Sequence, residues 1–225
     1  MTTRSMGRFI TFEGGEGTGK TTQIKGLRSL LEARGLDVVQ TREPGGSPGA
    51  EAIRDLLVNG DTERWCPATE ALLHYAARNE HLEHIVRPAL EKGAFVLCDR
   101  FSDSTMAYQG IVQGLGGEAI TTLEALVVRQ TSPDLTLVLD LDSALGLARA
   151  KDRANDKAKD QASAGSGGED RYERMGEDFH QRLRTAFLQI AEANPDRCVV
   201  IDASGSIPEV GAAIWTAVQD RLGLT

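Results

Sequence analysis

Gly14-Gly15-Glu16-Gly17-Thr18-Gly19-Lys20-Thr21-Thr22 follows directly on the apolar run Phe9-Ile10-Thr11-Phe12 and precedes a helical pattern of Ile24, Leu27, Leu30 and Leu31. The G-x-x-x-x-G-K-T spacing, set between strand and helix, is that of a phosphate-binding P-loop. Glycines at 14, 17 and 19 let the backbone turn its N–H groups inward, toward phosphate oxygens at the positive end of a helix. Lys20 is then placed to reach β- and γ-phosphates, and the Thr21 hydroxyl to ligate Mg²⁺. A glycine turn that merely joins strand to helix does not need Lys-Thr in this register. The stretch predicts a bound nucleoside triphosphate, held through Gly14 to Thr22.

Further chemistry lies at other strand ends. Phe95-Val96-Leu97-Cys98 is an apolar strand closed by Asp99, the place where P-loop proteins keep an acid that supports Mg²⁺, and Arg100 follows into the same cleft. A salt bridge at the turn is the bland alternative for that pair, but beside a P-loop the functional reading is favoured, because strand ends carry the site in this architecture. Thr41-Arg42-Glu43-Pro44-Gly45-Gly46 sits after the second strand, with Arg54 beyond it. Asp103 to Gly110 adds hydroxyls and an amide, among them Thr105, Tyr108 and Gln109, which suit the edge of a base or the cap of a short helix. His74 and Arg78, four apart on one helix, share a face and can meet one ligand. From spacing alone a solvated imidazole and a surface guanidinium fit as well.

The elements that must position these groups are legible from the apolar runs. Arg8–Phe12, Leu36–Thr41, Ala94–Cys98, Leu135–Leu139 and Cys198–Ile201 read as strands, continuous in aliphatic residues as in a parallel sheet covered on both faces. Helices are predicted from Pro48 to Val58 behind an N-cap at Ser47, from Pro67 to Lys92 with a kink at Pro88, over Gly117–Gln130, from Ser143 towards Lys151 and from Arg174 to Ala193. A last one opens on the Ser206…Glu209 capping box. This alternation predicts a doubly wound α/β domain with its ligand at the carboxyl ends of the strands. Asp152 to Asp170 departs from the pattern: polar, poor in aliphatics and rich in Gly and Ser, it reads as a mobile excursion, either a lid or a spacer.

Composition narrows the partners. The net charge of −8 argues against a broad nucleic-acid surface, no apolar stretch approaches the length of a membrane span, and the N-terminus lacks an apolar secretory core. Cys66, Cys98 and Cys198 form no C-x-x-C pair, and two of them sit in strand-like runs, which fits a reducing cytoplasm.

Taken together, F-E-G-G-E-G-T-G-K-T-T-Q, T-R-E-P-G-G, Y-A-A-R, C-D-R-F-x-D-S-T-x-A-Y-Q-G, P-D-L-T-L-V-L-D and D-R-Y-E resemble thymidylate kinase, in family order from about Phe9 to Glu173. The resemblance implies a single nucleoside monophosphate kinase domain over 1–225, P-loop NTPase in type, with a five-stranded parallel sheet, helices on both faces and a lid near 150–171. It implies ATP with Mg²⁺ as donor, thymidine 5′-monophosphate as acceptor and a cytoplasmic homodimer. Carried over residue by residue, Glu16 contacts the deoxyribose 3′-hydroxyl, and Arg54, Arg78 and Arg100 line the monophosphate site, with Arg54 and Arg100 nearest its phosphate. Thr105 and Gln109 lie near thymine, and Tyr108 lies under the sugar. Glu43 opens the loop by the acceptor, and Tyr172 with Glu173 form a lid-side pair. His74 stands where the family commonly has Phe stacked on thymine. Position 17 is Gly where one branch carries a catalytic arginine, so the cation is expected from the lid, from Arg149, Lys151 or Arg153. A kinase for another monophosphate, or a nucleotide-binding switch, are the rival readings. A GTPase switch would normally carry an N-K-x-D motif, which is absent.

Overall fold

The structure, a computed structural model, describes residues 7–160, 171, 172 and 174–224, with only the backbone given for 153–160. Strands β1 (Arg8–Glu13), β2 (Val38–Arg42), β3 (Phe95–Asp99), β4 (Leu135–Asp140) and β5 (Cys198–Asp202) form one parallel sheet in the order β2-β3-β1-β4-β5. The central strands are buried along almost their whole length, which is why they read as unbroken apolar runs. Helices α1 (Lys20–Glu32) and α9 (Ile207–Leu222) cover one face, with Ile24, Leu31, Ile214 and Val218 against Phe12, Leu97 and Leu137. Helices α2 (Pro48–Val58), α3 (Pro67–His81), α4 (Arg87–Glu91), α5 (Ser102–Thr105) and α6 (Gly117–Val127) precede α7 (Ser143–Asp160) and α8 (Glu177–Ala193) in the chain. On the opposite face Tyr75, Leu82, Val86 and Ile120 pack on Phe9, Val96 and Cys98, while Leu183 and Phe187 of α8 reach Val138.

Register brings the strand ends into one line: Phe12 and Arg42 both pair with Asp99, and Glu13 pairs with Val138. Every strand except β2 ends in a carboxylate at this edge, where the P-loop leaves β1.

Three sequence expectations change. Leu36 is not strand. Its N–H bonds Leu31 O, so it closes α1 behind Gly35 (φ 77°), and β2 begins two residues later. The helix expected to run on to Lys92 with a kink at Pro88 is interrupted by a π-helical stretch over Leu82–Val86, in which Arg87 N–H bonds Leu82 O. Pro88 has no N–H to continue the ordinary ladder, and one extra residue in the preceding turn makes room for its ring. The polar excursion expected from Asp152 begins later: α7 carries on through Asp160, and 161–170 lie outside the described residues. Alanine and lysine are good helix formers even without an apolar face, which extends the helix beyond its packed portion.

Candidate active site

The P-loop turns on Gly14 (φ 127°), Gly17 (φ 70°) and Gly19 (φ 87°). Lys20, buried at the start of α1, donates from Nζ to Gly15 O at 2.7 Å and Gly14 O at 3.1 Å. Burial and the neighbouring Arg100 charge lower this ammonium to about 8. Thr21 Oγ1 donates to Asp99 Oδ2 at 3.0 Å, so the two expected Mg²⁺ residues meet. Gly17 is fixed for a second reason: a Cβ on it would lie 1.9 Å from Gly146 O, on α7. Gly146 is equally constrained, its own Cβ position lying 2.4 Å from Glu16 O. Two backbones touch here, and a P-loop arginine at position 17 has no room.

Arg100 joins this loop to the rest of the cleft. Held at φ 67°, it donates to Gly14 O at 3.0 Å, Ser104 Oγ at 3.2 Å and Glu16 Oε1 at 2.7 Å, and lies over the Tyr108 ring. Tyr108 Oη donates to the same Glu16 oxygen at 3.3 Å. Burial alone would raise the Glu16 carboxyl, but Arg100 and Lys20 outweigh it and hold the group below its ordinary value. Beneath them, Glu13 accepts from Phe101 N–H at 2.8 Å and from Ser104 Oγ at 2.6 Å. Burial, reinforced by Asp103, pushes Glu13 up to about 8. Asp103 itself faces away from the cleft into a two-pronged ion pair with Arg197, at 2.6 and 2.8 Å, which ties α5 to β5.

A second cluster lies across the cleft. Arg78 Nε donates to Glu43 Oε2 at 2.8 Å and Nη2 to Thr105 Oγ1 at 3.0 Å, between the Tyr75 and Phe101 rings. Arg78 Nη1 and both polar atoms of the Gln109 amide are buried with no hydrogen-bond partner among the described residues. Glu43, after which the Glu43–Pro44 bond is cis, spends its carboxylate on Arg78 and His81. Arg54 Nη1 donates to Pro44 O at 2.7 Å, holding the same loop from α2.

His74 and Tyr172 meet at 3.1 Å through Nε2 and Oη. Tyr172 in turn donates to Glu70, whose carboxyl is held below its usual value: burial would raise it, but the Tyr172 and Gln113 hydrogen bonds prevail. The phenol proton is thus committed to Glu70, which makes His74 Nε2–H the donor to Tyr172 Oη. Burial pushes the His74 imidazole down to about 4, so the ring is neutral at pH 7. Glu70 also pairs with Arg171, a buried guanidinium that donates to Leu57 O, Asp61 O and Thr62 O as well.

The structure therefore brings Glu16, Arg100 and Tyr108 together, then Glu43, Arg78 and Thr105, then His74 and Tyr172. Of the expected lid cations only Arg149 and Lys151 have described side chains, and neither meets these groups. Arg149 Nη1 donates to Ala203 O at 3.2 Å and Lys151 is exposed, while the side chain of Arg153, like Glu173, lies outside the described residues. Sequence reasoning missed Glu13, Glu70, His81 and Arg171. An acid closing β1 was a readable signal for Glu13. The others are charged residues inside helical or polar segments, and nothing local announces their burial.

A family model described as thymidylate kinase matches residues 12–214. A thymidylate kinase of Caulobacter vibrioides is 54% identical over 220 residues, covering 98% of this chain and 100% of that one. One from Rhizorhabdus wittichii is 50% identical, covering 96% and 99%. The solved structure of thymidylate kinase from Ehrlichia chaffeensis superposes with a TM-score of 0.74 at 34% identity, over 95% of this chain and 100% of that one.

Proposed function

The chain belongs to the thymidylate kinase family, and from that premise we propose which of its residues carry the reaction, transfer of the ATP γ-phosphoryl group to thymidine 5′-monophosphate. Gly14 to Thr22 cradle the donor phosphates, and Lys20 brings to them a cation that, among the described residues, hydrogen-bonds neutral oxygens alone. Thr21 and Asp99 hold Mg²⁺. Two adjacent oxygen ligands fit a hard cation that takes its remaining ligands from water and phosphate. When bound, Mg²⁺ neutralises charge on the transferred group. Glu16 orients the acceptor sugar, Arg100 and Arg54 hold its phosphate, and Tyr108 underlies the ribose. Arg78, Thr105, Gln109 and His74 take the thymine, with Tyr172 behind His74.

The observation that carries the acceptor assignment is the trio of buried, unpartnered donors and acceptors on Arg78 and Gln109. Each costs about 1–3 kcal/mol while unmet, which a base edge would recover. The transition-state cation comes from the lid near 150–171, with Arg153 the leading candidate ahead of Lys151, because Arg149 is tied to Ala203. Single-turnover kinetics should show Arg153→Ala lowering kcat roughly tenfold or more with binding near that of the parent, the signature of a contact made in the transition state. The chain acts as one domain and as a cytoplasmic homodimer. Exposed Leu72 on α3 and Leu126 on the adjoining α6 offer an apolar face for pairing, and the three free thiols suit a reducing compartment.

An ADP-release assay across the common nucleoside monophosphates tests the substrate. Thymidylate should be strongly preferred, and a purine monophosphate turned over equally fast would overturn the assignment.

A further inference from the structure

His81 is fully buried at the end of α3, and both ring nitrogens are engaged: Nδ1 lies 2.9 Å from Glu43 Oε1 and Nε2 lies 2.7 Å from Thr41 Oγ1. The other Glu43 oxygen accepts from Arg78 Nε. Burial works against charge on Glu43, but Arg78 and His81 outweigh it and keep the carboxyl below its ordinary value. An ionised carboxylate only accepts, so Nδ1 carries a proton toward it. In the neutral ring Nε2 is then the acceptor, and the Thr41 hydroxyl the donor. Nδ1–H faces Glu43 in either charge state of the ring, Thr41 engages the other nitrogen, and Arg78 meets the same carboxylate from the far side.

The acceptor loop is built against this imidazole. A Cβ on Gly46 (φ +89°) would lie 2.6 Å from His81 Cδ2 and 2.6 Å from Thr41 Oγ1, so the loop backbone rests directly on the ring. A flipped ring would lose both hydrogen bonds, and a swing of the ring toward the loop is opposed by Gly46. Glu43 is thereby fixed in rotation, and so is the guanidinium it holds, whose Nη1 is the buried donor without a partner among the described residues.

We propose that His81 is a positioning residue for acceptor recognition: through Glu43 it sets the Arg78 guanidinium, and Thr41 holds the ring at its other nitrogen. The proposal rests on reading Arg78 as an acceptor contact. Calorimetry with thymidine monophosphate and with ATP tests it. Asparagine places its amide close to Nδ1 and glutamine close to Nε2, so His81→Asn keeps the Glu43 bond and His81→Gln loses it. Loss of a hydrogen bond to a charged group predicts about tenfold weaker thymidylate binding for His81→Gln, with His81→Asn within about threefold of the parent and ATP affinity unchanged in both. Thr41→Val, which removes the far end of the relay and leaves Glu43 bonded, should weaken thymidylate about threefold and spare ATP. In an Arg78→Ala background His81→Gln should cost nothing further, because both act on one path. Equal losses for Asn and Gln, parallel losses for both ligands, or additive losses in the double variant would overturn the proposal. If Arg78→Ala weakens thymidylate and His81→Gln does not, the link through His81 alone fails. If Arg78→Ala has no effect, the acceptor assignment fails with it.

Discussion

The two cations at the centre of the cleft are held in opposite ways. Lys20 rests on the carbonyl oxygens of Gly14 and Gly15 with no carboxylate at ion-pair distance among the described residues, whereas Arg78 is paired with Glu43 at 2.8 Å and is 1% exposed. A lysine on backbone dipoles keeps its net charge for a multiply charged phosphate. An arginine already neutralised by a carboxylate is a directional hydrogen-bond donor with little net field, which suits an uncharged base. On the site assignment proposed above, the same sheet edge carries one site that works by charge and one that works by geometry. Arg100 stands between them, paired with Glu16 of the donor loop and stacked on Tyr108 of the acceptor side.

Removing Lys20 is the harshest test of this difference. Lys20→Ala should lower turnover by about a thousandfold or more, since its charge is needed most as negative charge develops on the transferring group. Circular dichroism should show the fold intact, and near-parent turnover would break the P-loop assignment.

Arg78→Ala should act on binding rather than on the chemical step. Thymidylate affinity should fall about a hundredfold with ATP affinity unchanged, and the melting temperature should drop, because Glu43 is left buried with one partner fewer. Equal losses for both ligands in calorimetry would mean that Arg78 holds the fold only.

Placing a cation in the loop by Gly17→Arg should not reproduce the family branch that carries one there. With φ at +70° and Gly146 O 1.9 Å from the new Cβ, the variant should lose stability by about 1–3 kcal/mol and gain no rate. A stable, faster variant would show that the contact with α7 yields.

The smallest effect belongs to His74. A neutral ring at position 74 keeps a stacking surface, so His74→Phe should hold thymidylate affinity within a few-fold while losing the Tyr172 contact. Its pH signature is sharper. The native imidazole titrates at about 4 and the unfolded one near 6.5, so the unfolded chain binds more protons between those values and stability is lost as pH falls through them. Denaturant titrations at pH 7 and pH 4.5 should show the parent losing about 2 kcal/mol more than His74→Phe.

Much of this was legible in the chain. The P-loop, the Asp99–Arg100 pair and the order of strands and helices are written in local patterns, where each residue's neighbours in sequence are its neighbours in space. Edges were less legible: β2 was misplaced at its start because Leu36 is apolar yet belongs to the closing turn of α1. The supporting charges were not legible at all. Glu70 and Arg171 are 101 residues apart, and Glu43 and His81 are 38 apart; Glu70, His81 and Arg171 each read alone as surface residues, Glu43 as a loop residue, and only the fold makes them pairs. In sequence, position 17 reads as a missing cation. It is also a point of backbone contact, which no single-sequence pattern reveals.

That contact gives α7 the mechanics of a lever. Gly146 is clamped against the P-loop and Arg149 is tied to Ala203 in the loop after β5, so the near end moves with the nucleotide-binding frame. From Gly146 to Asp160 the helix extends roughly 21 Å at about 1.5 Å per residue. A tilt of about 10° at the clamp would sweep its far end through nearly ~4 Å, on the same geometry. A displacement too small to break a hydrogen bond beside Gly17 would thereby be magnified into one larger than a water molecule where the helix ends.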